Sequence, residues 1–184
     1  KTYDIDKLIA NVLKSKFVSD DTQFIYASGE IGIHPKIKEI VNLFQKRNVS
    51  FFTNATKYHE EIHQLILKPR NSILVSLDCG TRETYQKIKG RDMFNVVCEN
   101  ISRYASDNGN VMLKYILTND NLNTADLNGF IEFCLSANIK NIRITYDWNI
   151  KKLNDNLKHF AIILMRKARK NNIKYYVDDT FLCN

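Results

Sequence analysis

The sequence predicts an α/β fold whose strands run parallel. Short apolar runs alternate with amphipathic segments along nearly the whole chain, and the amphipathic segments repeat their apolar residues at helical spacing. Small or polar residues follow the apolar runs, as they do where a strand turns into a loop. Strands that alternate with helices are joined by right-handed crossovers, which makes them parallel in an open sheet or a barrel.

The predicted helices begin near the start of the chain. A first helix is expected over 4–16, and Pro35 begins a second helix with Ile37, Ile40, Val41 and Phe44 on its inward face. The remaining helices are predicted at 60–67, 94–106, 124–137 and 153–170. The apolar stripe of the first helix consists of Ile5, Leu8, Ile9, Val12 and Leu13.

The predicted strands lie between these helices. They are expected at 23–27, 49–53, 73–77, 111–117, 141–145 and 173–177. We expect all of residues 1–184 to form a single domain, because a chain of this length buries enough surface for one sizeable core.

The composition is that of an ordinary globular protein, with 44% hydrophobic and 26% charged residues. No apolar run approaches the roughly 18 residues of a membrane span, and no signal-peptide pattern follows the first residues, so we expect a cytoplasmic protein without a membrane partner. The chain opens on a helix without an initiator methionine. We therefore expect that a segment upstream of Lys1 has been removed.

The net charge of +7 raises the question of a nucleic-acid partner. Much of the excess lies in the last third of the chain, at spacings that suit the solvated side and the C-terminal end of one helix, which favours a solvated helix over a nucleic-acid surface. These cations are Lys151, Lys152, Lys158, Arg166, Lys167, Arg169 and Lys170.

The four cysteines lie too far apart in sequence to form a CxxC-type metal knuckle. Without secretory features, a disulfide framework is also disfavoured. We interpret Cys79, Cys98, Cys134 and Cys183 as free thiols, with Cys98 and Cys134 buried on helices, and we predict no metal ligand among the residues of the chain.

Polar and small residues collect where the predicted strands end. In parallel α/β folds, ligands bind beyond the carboxyl ends of the strands. A glycine there lets a ligand approach the backbone, a glutamate accepts bonds from an ammonium, and serine or lysine binds a carboxylate, so the set suits a ligand that carries an amino-acid group. The candidate site residues are Ser28, Gly29, Glu30, Thr53, Asn54, Ser76, Asp78 and Lys114.

Each of these residues also has an interpretation without a ligand. Asn54 and Asp78 are equally well explained as turn formers or helix caps. Glu30 is explained as a carboxylate at a helix terminus near Pro35, and Lys114 as an exposed lysine on an edge strand. Their occurrence at the same edge of successive strands favours a site.

Residues of about 4–147 resemble the core of the radical S-adenosylmethionine (radical SAM) superfamily, in particular its MoaA/NifB/PqqE-like members. FIYASGEIGIHP over 24–35 is similar to the family's "GGEP…hP" segment, with Ser28 in place of the first glycine and Ile31 in place of the proline. Thr53-Asn54-Ala55 is similar to "TNG".

The most specific likeness lies further along the chain. VSLDCG over 75–80 with YQKIKG over 85–90 resembles "vSLDg…yeirG", and 111–121 resembles the fifth strand with its asparagine-bearing loop. The predicted strand near 142–148 lacks the glycine of the family's adenine-binding segment, so the adenine contact is left unassigned.

The resemblance implies a partial (β/α) barrel of the radical SAM type, truncated at its N-terminus. It implies that Glu30 binds the ammonium of SAM, that Ser76 and Lys114 bind its carboxylate, and that Thr53, Asn54 and Asp78 shape the ribose and adenosine side. With Ser28 and Gly29, these residues form the implied cofactor site.

The CxxxCxxC motif that holds the family's [4Fe–4S] cluster does not occur in this sequence. We expect it upstream of Lys1, so that the full-length protein binds both the cluster and SAM, while this fragment alone binds no cluster, has little affinity for SAM and is inactive.

The resemblance implies an enzyme that reductively cleaves SAM to start radical chemistry on an unknown organic substrate. A reductant protein such as a flavodoxin or ferredoxin is the implied partner. The catalytic residues are not assigned. Two alternatives stay open: a barrel without a cluster that acts as a binding scaffold, and an RNA-modifying protein.

Overall fold

The computed structural model describes residues 4–15, 17–27, 29–147, 149 and 154–178. Within them, six strands form one sheet in which every strand is parallel to its neighbour and the strands follow sequence order. The strands are β1 (Gln23–Tyr26), β2 (Asn48–Thr53), β3 (Ser72–Ser76), β4 (Val111–Leu117), β5 (Asn141–Tyr146) and β6 (Lys174–Val177). The predicted α/β class and the parallel partial barrel are confirmed, and the sheet is open between its edges β1 and β6.

One helix precedes the first strand, and the others connect the strands. They are α1 (Ile5–Lys14), α2 (Ile37–Leu43), α3 (Glu60–Ile66), α4 (Arg82–Lys89), α5 (Phe94–Ala105), α6 (Thr124–Ser136) and α7 (Asp155–Lys170). Side-chain caps define several N-termini: Asp4, Thr81, Asn123 and Asn154 each accept a bond from a backbone N–H three residues on. In the described part of the chain, none of these helices is long and apolar enough to cross a membrane.

The strand bounds agree closely with the prediction. β4 has the predicted bounds, and the other five strands differ by one residue at one or both ends. The helix α4 is a finding that the sequence interpretation missed. It lies between the caps Thr81 and Gly90, and Gly90 takes the left-handed conformation at φ +70°.

The two faces of the sheet differ in burial because side chains alternate along a strand. On β4, Val111, Leu113, Tyr115 and Leu117 are buried against the helices, whereas Met112, Lys114 and Ile116 are half-buried on the other side. We call the second side the open face. Residues paired across strands share a face, so the open face also holds Ser76, Arg143 and Tyr176.

The helices bury their apolar positions to different extents. The predicted inward face of α2 is confirmed, because Ile37, Ile40, Val41 and Phe44 are all buried. The stripe of α1 is only partly covered, with Leu8 55% exposed and Val12 40% exposed. The reason is position: α1 lies beside the edge strand β1, where its apolar face meets one strand rather than two.

Candidate functional site

The loop after β1 places Glu30 at the carboxyl end of the sheet. Gly29 has φ +67°, a conformation that side chains rarely adopt, so this turn requires glycine. Glu30 then caps a 3₁₀ turn over Ile31–Ile33, and Gly32 N donates to its Oε1 at 2.9 Å. Ser28 lies outside the described residues, so its predicted contribution stays a prediction.

The half-buried carboxylate of Glu30 joins this loop to the end of β2. The Thr53 hydroxyl donates to Oε1, and Asn54 N donates to Oε2 at 2.6 Å. With Gly32, three donors of the chain therefore hold the group. A carboxylate has about four acceptor positions, so one position on Oε2 has no donor among the described residues.

Thr53 and Asn54 are largely occupied by bonds within the chain. The Thr53 hydroxyl also accepts from Ala55 N at 3.0 Å, and the residue is only 7% exposed. Asn54 Oδ1 accepts from Thr56 N and from the Thr56 hydroxyl, which leaves its exposed Nδ2 without a described partner. Thr53 therefore supports Glu30, and Asn54 offers only its amide N–H groups outward.

Ser76 and Lys114 lie side by side on the open face. They are register partners on β3 and β4, and such Cα atoms lie about 4.8 Å apart. Both side chains are half-buried, and neither has a hydrogen-bond partner among the described residues. The hydroxyl and the ammonium are thus both available to an anionic group.

The structure brings the predicted residues together as two pairs, Glu30 with Thr53 and Ser76 with Lys114. Thr53 is paired with Val75, which points into the helix layer, so the side chains of Thr53 and Ser76 leave the sheet on opposite faces. The Glu30 loop lies above the end of β2 and Ser76 ends β3, whereas Lys114 is the middle residue of β4 on the open face. β4 is an interior strand of the sheet, so the alternative interpretation of Lys114 as an exposed lysine on an edge strand is wrong.

Asp78 is buried to 3% exposure, and both of its carboxylate oxygens have partners in the chain. Oδ2 accepts from Lys89 Nζ at 2.6 Å, and Oδ1 accepts from Ile116 N at 3.0 Å. Its own N–H donates to Lys114 O, so Asp78 continues the pairing of β3 with β4 beyond the end of β3. Its role toward a ribose stays a prediction.

A buried polar network fixes the loop after Asp78, and the sequence interpretation missed its central residue, Asp126 on α6. Asp126 Oδ1 accepts from Thr81 N at 3.1 Å, and Oδ2 accepts from the Tyr115 hydroxyl at 2.6 Å. Burial, together with the charge of Asp126, holds the pKa of Tyr115 far above its usual value, so the phenol remains a donor. Asn121 adds bonds from Nδ2 to the carbonyls of Asp78 and Ile116.

The open face also carries an ion pair that was not predicted. Nε and Nη2 of Arg143 both donate to Asp178 Oδ1, at 2.8 and 2.6 Å. A charged residue between two apolar ones was the available signal, because Arg143 stands between the buried Ile142 and Ile144.

The described cysteines are free thiols, as predicted. Cys134 is buried as predicted and Cys79 is also buried, but Cys98 is only half-buried, so the prediction that it is buried was wrong; Cys183 lies outside the described residues. Burial raises the pKa of the Cys98 thiol to about 12, which disfavours the thiolate that metal binding needs. Among the described residues there is no group of three side chains that suits a metal ion.

The similarities of this chain to known proteins come from solved structures. No family model matches the sequence, and no curated protein matches it either. Streptococcus suis SuiB bound to the precursor peptide SuiA is similar with a TM-score of 0.70 at 12% identity, over 85% of this chain and 38% of that one. SuiB bound to S-adenosylmethionine has a TM-score of 0.64 at 11% identity, over 84% of this chain and 37% of that one.

Two further structures are similar over most of the chain. A domain of the pyruvate-formate lyase-activating enzyme from Bacteroides vulgatus has a TM-score of 0.65 at 13% identity, over 83% of this chain and 96% of that domain. The native protein anSMEcpe with bound AdoMet has a TM-score of 0.66 at 13% identity, over 97% of this chain and 57% of that one.

The chain thus spans less than two fifths of SuiB and somewhat over half of anSMEcpe. The radical SAM partial barrel is the fold that these structures have in common with it. The sequence resemblance and the structural similarity therefore agree, and the chain has the fold of a radical SAM core domain.

Proposed function

We propose that this chain is the SAM-binding part of a radical SAM enzyme. The observation that carries the proposal is the arrangement of two opposite charges on one parallel sheet, one at its carboxyl end and one on its open face. The Glu30 carboxylate is held at the carboxyl end with one acceptor position free, and the Lys114 ammonium lies beside Ser76 on the open face without a described partner. SAM presents an ammonium and a carboxylate on the same carbon.

In this proposal, Glu30 Oε2 accepts a hydrogen bond from the ammonium of SAM, and Ser76 and Lys114 bind its carboxylate. Thr53 positions Glu30, because its hydroxyl already donates to Oε1 and accepts from Ala55 N. A carboxylate held by three donors needs no rearrangement when the ligand arrives, which lowers the entropic cost of binding.

The described residues of this chain do not fit a [4Fe–4S] cluster. Their cysteines are separate, burial raises the pKa of each of the three thiols, and no three metal-binding side chains converge in the described part. We therefore propose that residues outside this sequence hold the cluster in the complete protein. Such a cluster would supply the electron for reductive cleavage of SAM.

The test uses the complete protein with its cluster assembled. We expect Glu30→Gln to weaken SAM binding by about 1.5–3 kcal/mol, because a charge-assisted bond becomes a neutral one. Ser76→Ala should cost only about 1 kcal/mol, since Lys114 still holds the carboxylate. Calorimetry measures both affinities, and 5′-deoxyadenosine formation measures cleavage.

Glu39→Gln on α2 is the matched control, because this exposed carboxylate lies away from the open face. It should leave binding and cleavage unchanged. The iron–sulfur absorbance should survive in all three variants. If Glu30→Gln abolished that absorbance, or left SAM cleavage unchanged, Glu30 would be a structural carboxylate rather than the ammonium ligand.

The two alternative functions make different predictions. A scaffold without a cluster would show no SAM cleavage in the complete protein under reducing conditions. An RNA-binding protein would be retained on RNA, and the retention would fall steeply with salt.

A further inference from the structure

The open face offers a second binding position beside Lys114. Arg143 on β5 is the register partner of Lys114, and Tyr176 on β6 is the register partner of Arg143. The side chains of this row all leave the sheet on the open face. A pocket of about 340 Å³ adjoins the row and is lined by Met112, Arg143, Tyr176, Val177 and Asp178.

The geometry of the Arg143–Asp178 pair leaves half of the guanidinium free. Nε and Nη2 both donate to a single oxygen, Asp178 Oδ1, so the ion pair occupies one side of the planar group. The other edge, formed by Nη1 and the second hydrogen of Nη2, has no acceptor among the described residues. That edge presents two parallel donors, which match the two oxygens of a carboxylate.

The surroundings favour a carboxylate over a phosphate. The side chains of Arg143 and Asp178 are 40% and 25% exposed, so the pair is partly desolvated and still open to a ligand. Asp178 cancels much of the positive charge of Arg143. A carboxylate carries one negative charge, whereas a phosphate monoester carries nearly two and would be repelled more strongly by Asp178.

We propose that Arg143 binds a carboxylate group of the substrate, and that Asp178 positions Arg143 for it. The inference rests on the proposed function, in which SAM occupies Glu30, Ser76 and Lys114. The substrate carboxylate then lies one strand further along the same face, and the Met112 and Tyr176 side chains contact the apolar part of the substrate.

The test is an NMR titration of the 184-residue chain, read at the Nε–H resonance of Arg143. The probes are N-acetylglycine, its neutral analogue N-acetylglycinamide, and inorganic phosphate. We expect N-acetylglycine alone to give a saturating shift. Arg143→Gln should weaken its binding about tenfold or more, measured on the Tyr176 amide, because a charge-assisted bidentate contact is lost.

Arg47→Gln is the matched control, because Arg47 also forms an ion pair, with Asp20, but away from this pocket. It should leave N-acetylglycine binding unchanged. Asp178→Asn tests positioning: removing its charge should reduce the preference for N-acetylglycine over phosphate, an effect that a purely structural residue would not produce.

The inference is overturned if N-acetylglycine does not saturate, if phosphate binds as tightly in the unmodified chain, or if SAM displaces N-acetylglycine from Arg143 in the complete protein with its cluster assembled. The last result would assign Arg143 to the SAM carboxylate and leave the proposed function intact. In the complete protein, SAM that shifts the Gly32 and Asn54 amides without displacing N-acetylglycine supports the inference. The proposed function fails separately, if Glu30→Gln leaves SAM cleavage in the complete protein unchanged.

Discussion

Replacing Asp78 by alanine should destabilise the fold by about 3 kcal/mol, although sequence similarity places this residue among the ligand contacts. The substitution leaves the Ile116 N–H without its acceptor, and an orphaned buried donor costs about 1–3 kcal/mol. It also removes the ion pair with Lys89, which contributes about 1 kcal/mol because the lysine is 24% exposed and partly screened. Finally, Asp78 has φ +62°, which aspartate tolerates better than alanine.

Urea unfolding of the 184-residue chain measures this change, and a loss of about 3 kcal/mol corresponds to a fall in Tm of about 6–12 °C at this size. Asp78→Asn is the matched variant. It keeps an acceptor for Ile116 N and a side chain that tolerates positive φ, so it should cost only about 1–2 kcal/mol. If Asp78→Ala unfolded within about 0.5 kcal/mol of the unmodified chain, these bonds would not stabilise the fold as we infer.

Two further predictions concern a close backbone contact and a tyrosine. A Cβ on Gly80 would lie 1.9 Å from a carbonyl oxygen of α6, so Gly80→Ala should lower the free energy of unfolding by about 3 kcal/mol. A Cβ on Gly90 would meet open space, so Gly90→Ala should lower it by only about 1–2 kcal/mol, because of the positive φ. Equal losses of stability in urea unfolding would contradict this. Burial and a bond to Glu60 raise the pKa of Tyr58 to about 12. The protonated Tyr58 therefore stabilises the fold fully below about pH 10, and this contribution is lost as the pH rises through 12. Tyr58→Phe should remove this part of the stability loss at alkaline pH. An unchanged dependence of stability on pH would refute the raised pKa of Tyr58.

The strands could be predicted from the sequence because each is a short apolar run with a clear break after it. Helix α4 could not be predicted from periodicity, since Arg82–Lys89 has few apolar residues and only Tyr85 among them is buried. Its caps were visible as Thr81 and Gly90, at the spacing of a two-turn helix. Cap signals were thus the stronger evidence for this element.

The sequence predicted where two of the candidate residues lie, and their roles toward a ligand stay predictions. Glu30 and Ser76 could be placed at strand ends because the fold determines which residues meet there, whereas Lys114 lies in the middle of β4. The sequence did not predict which of the polar side chains would form hydrogen bonds within the chain. Asp126 shows the reason: its partner Thr81 lies 45 positions away, and no local pattern signals a pairing at that distance.

The strict sequence order of the sheet has a consequence for how the chain folds. Every strand pairs only with the strands before and after it in the chain, so each new strand and its helix join an edge that already exists. Loop-closure costs are smaller than in a topology that pairs distant strands, although parallel pairing is never local and slows folding relative to a helix bundle. We expect the sheet to assemble progressively from β1 toward β6 during synthesis, so that the Glu30 loop can form before the strand that carries Arg143 has been made.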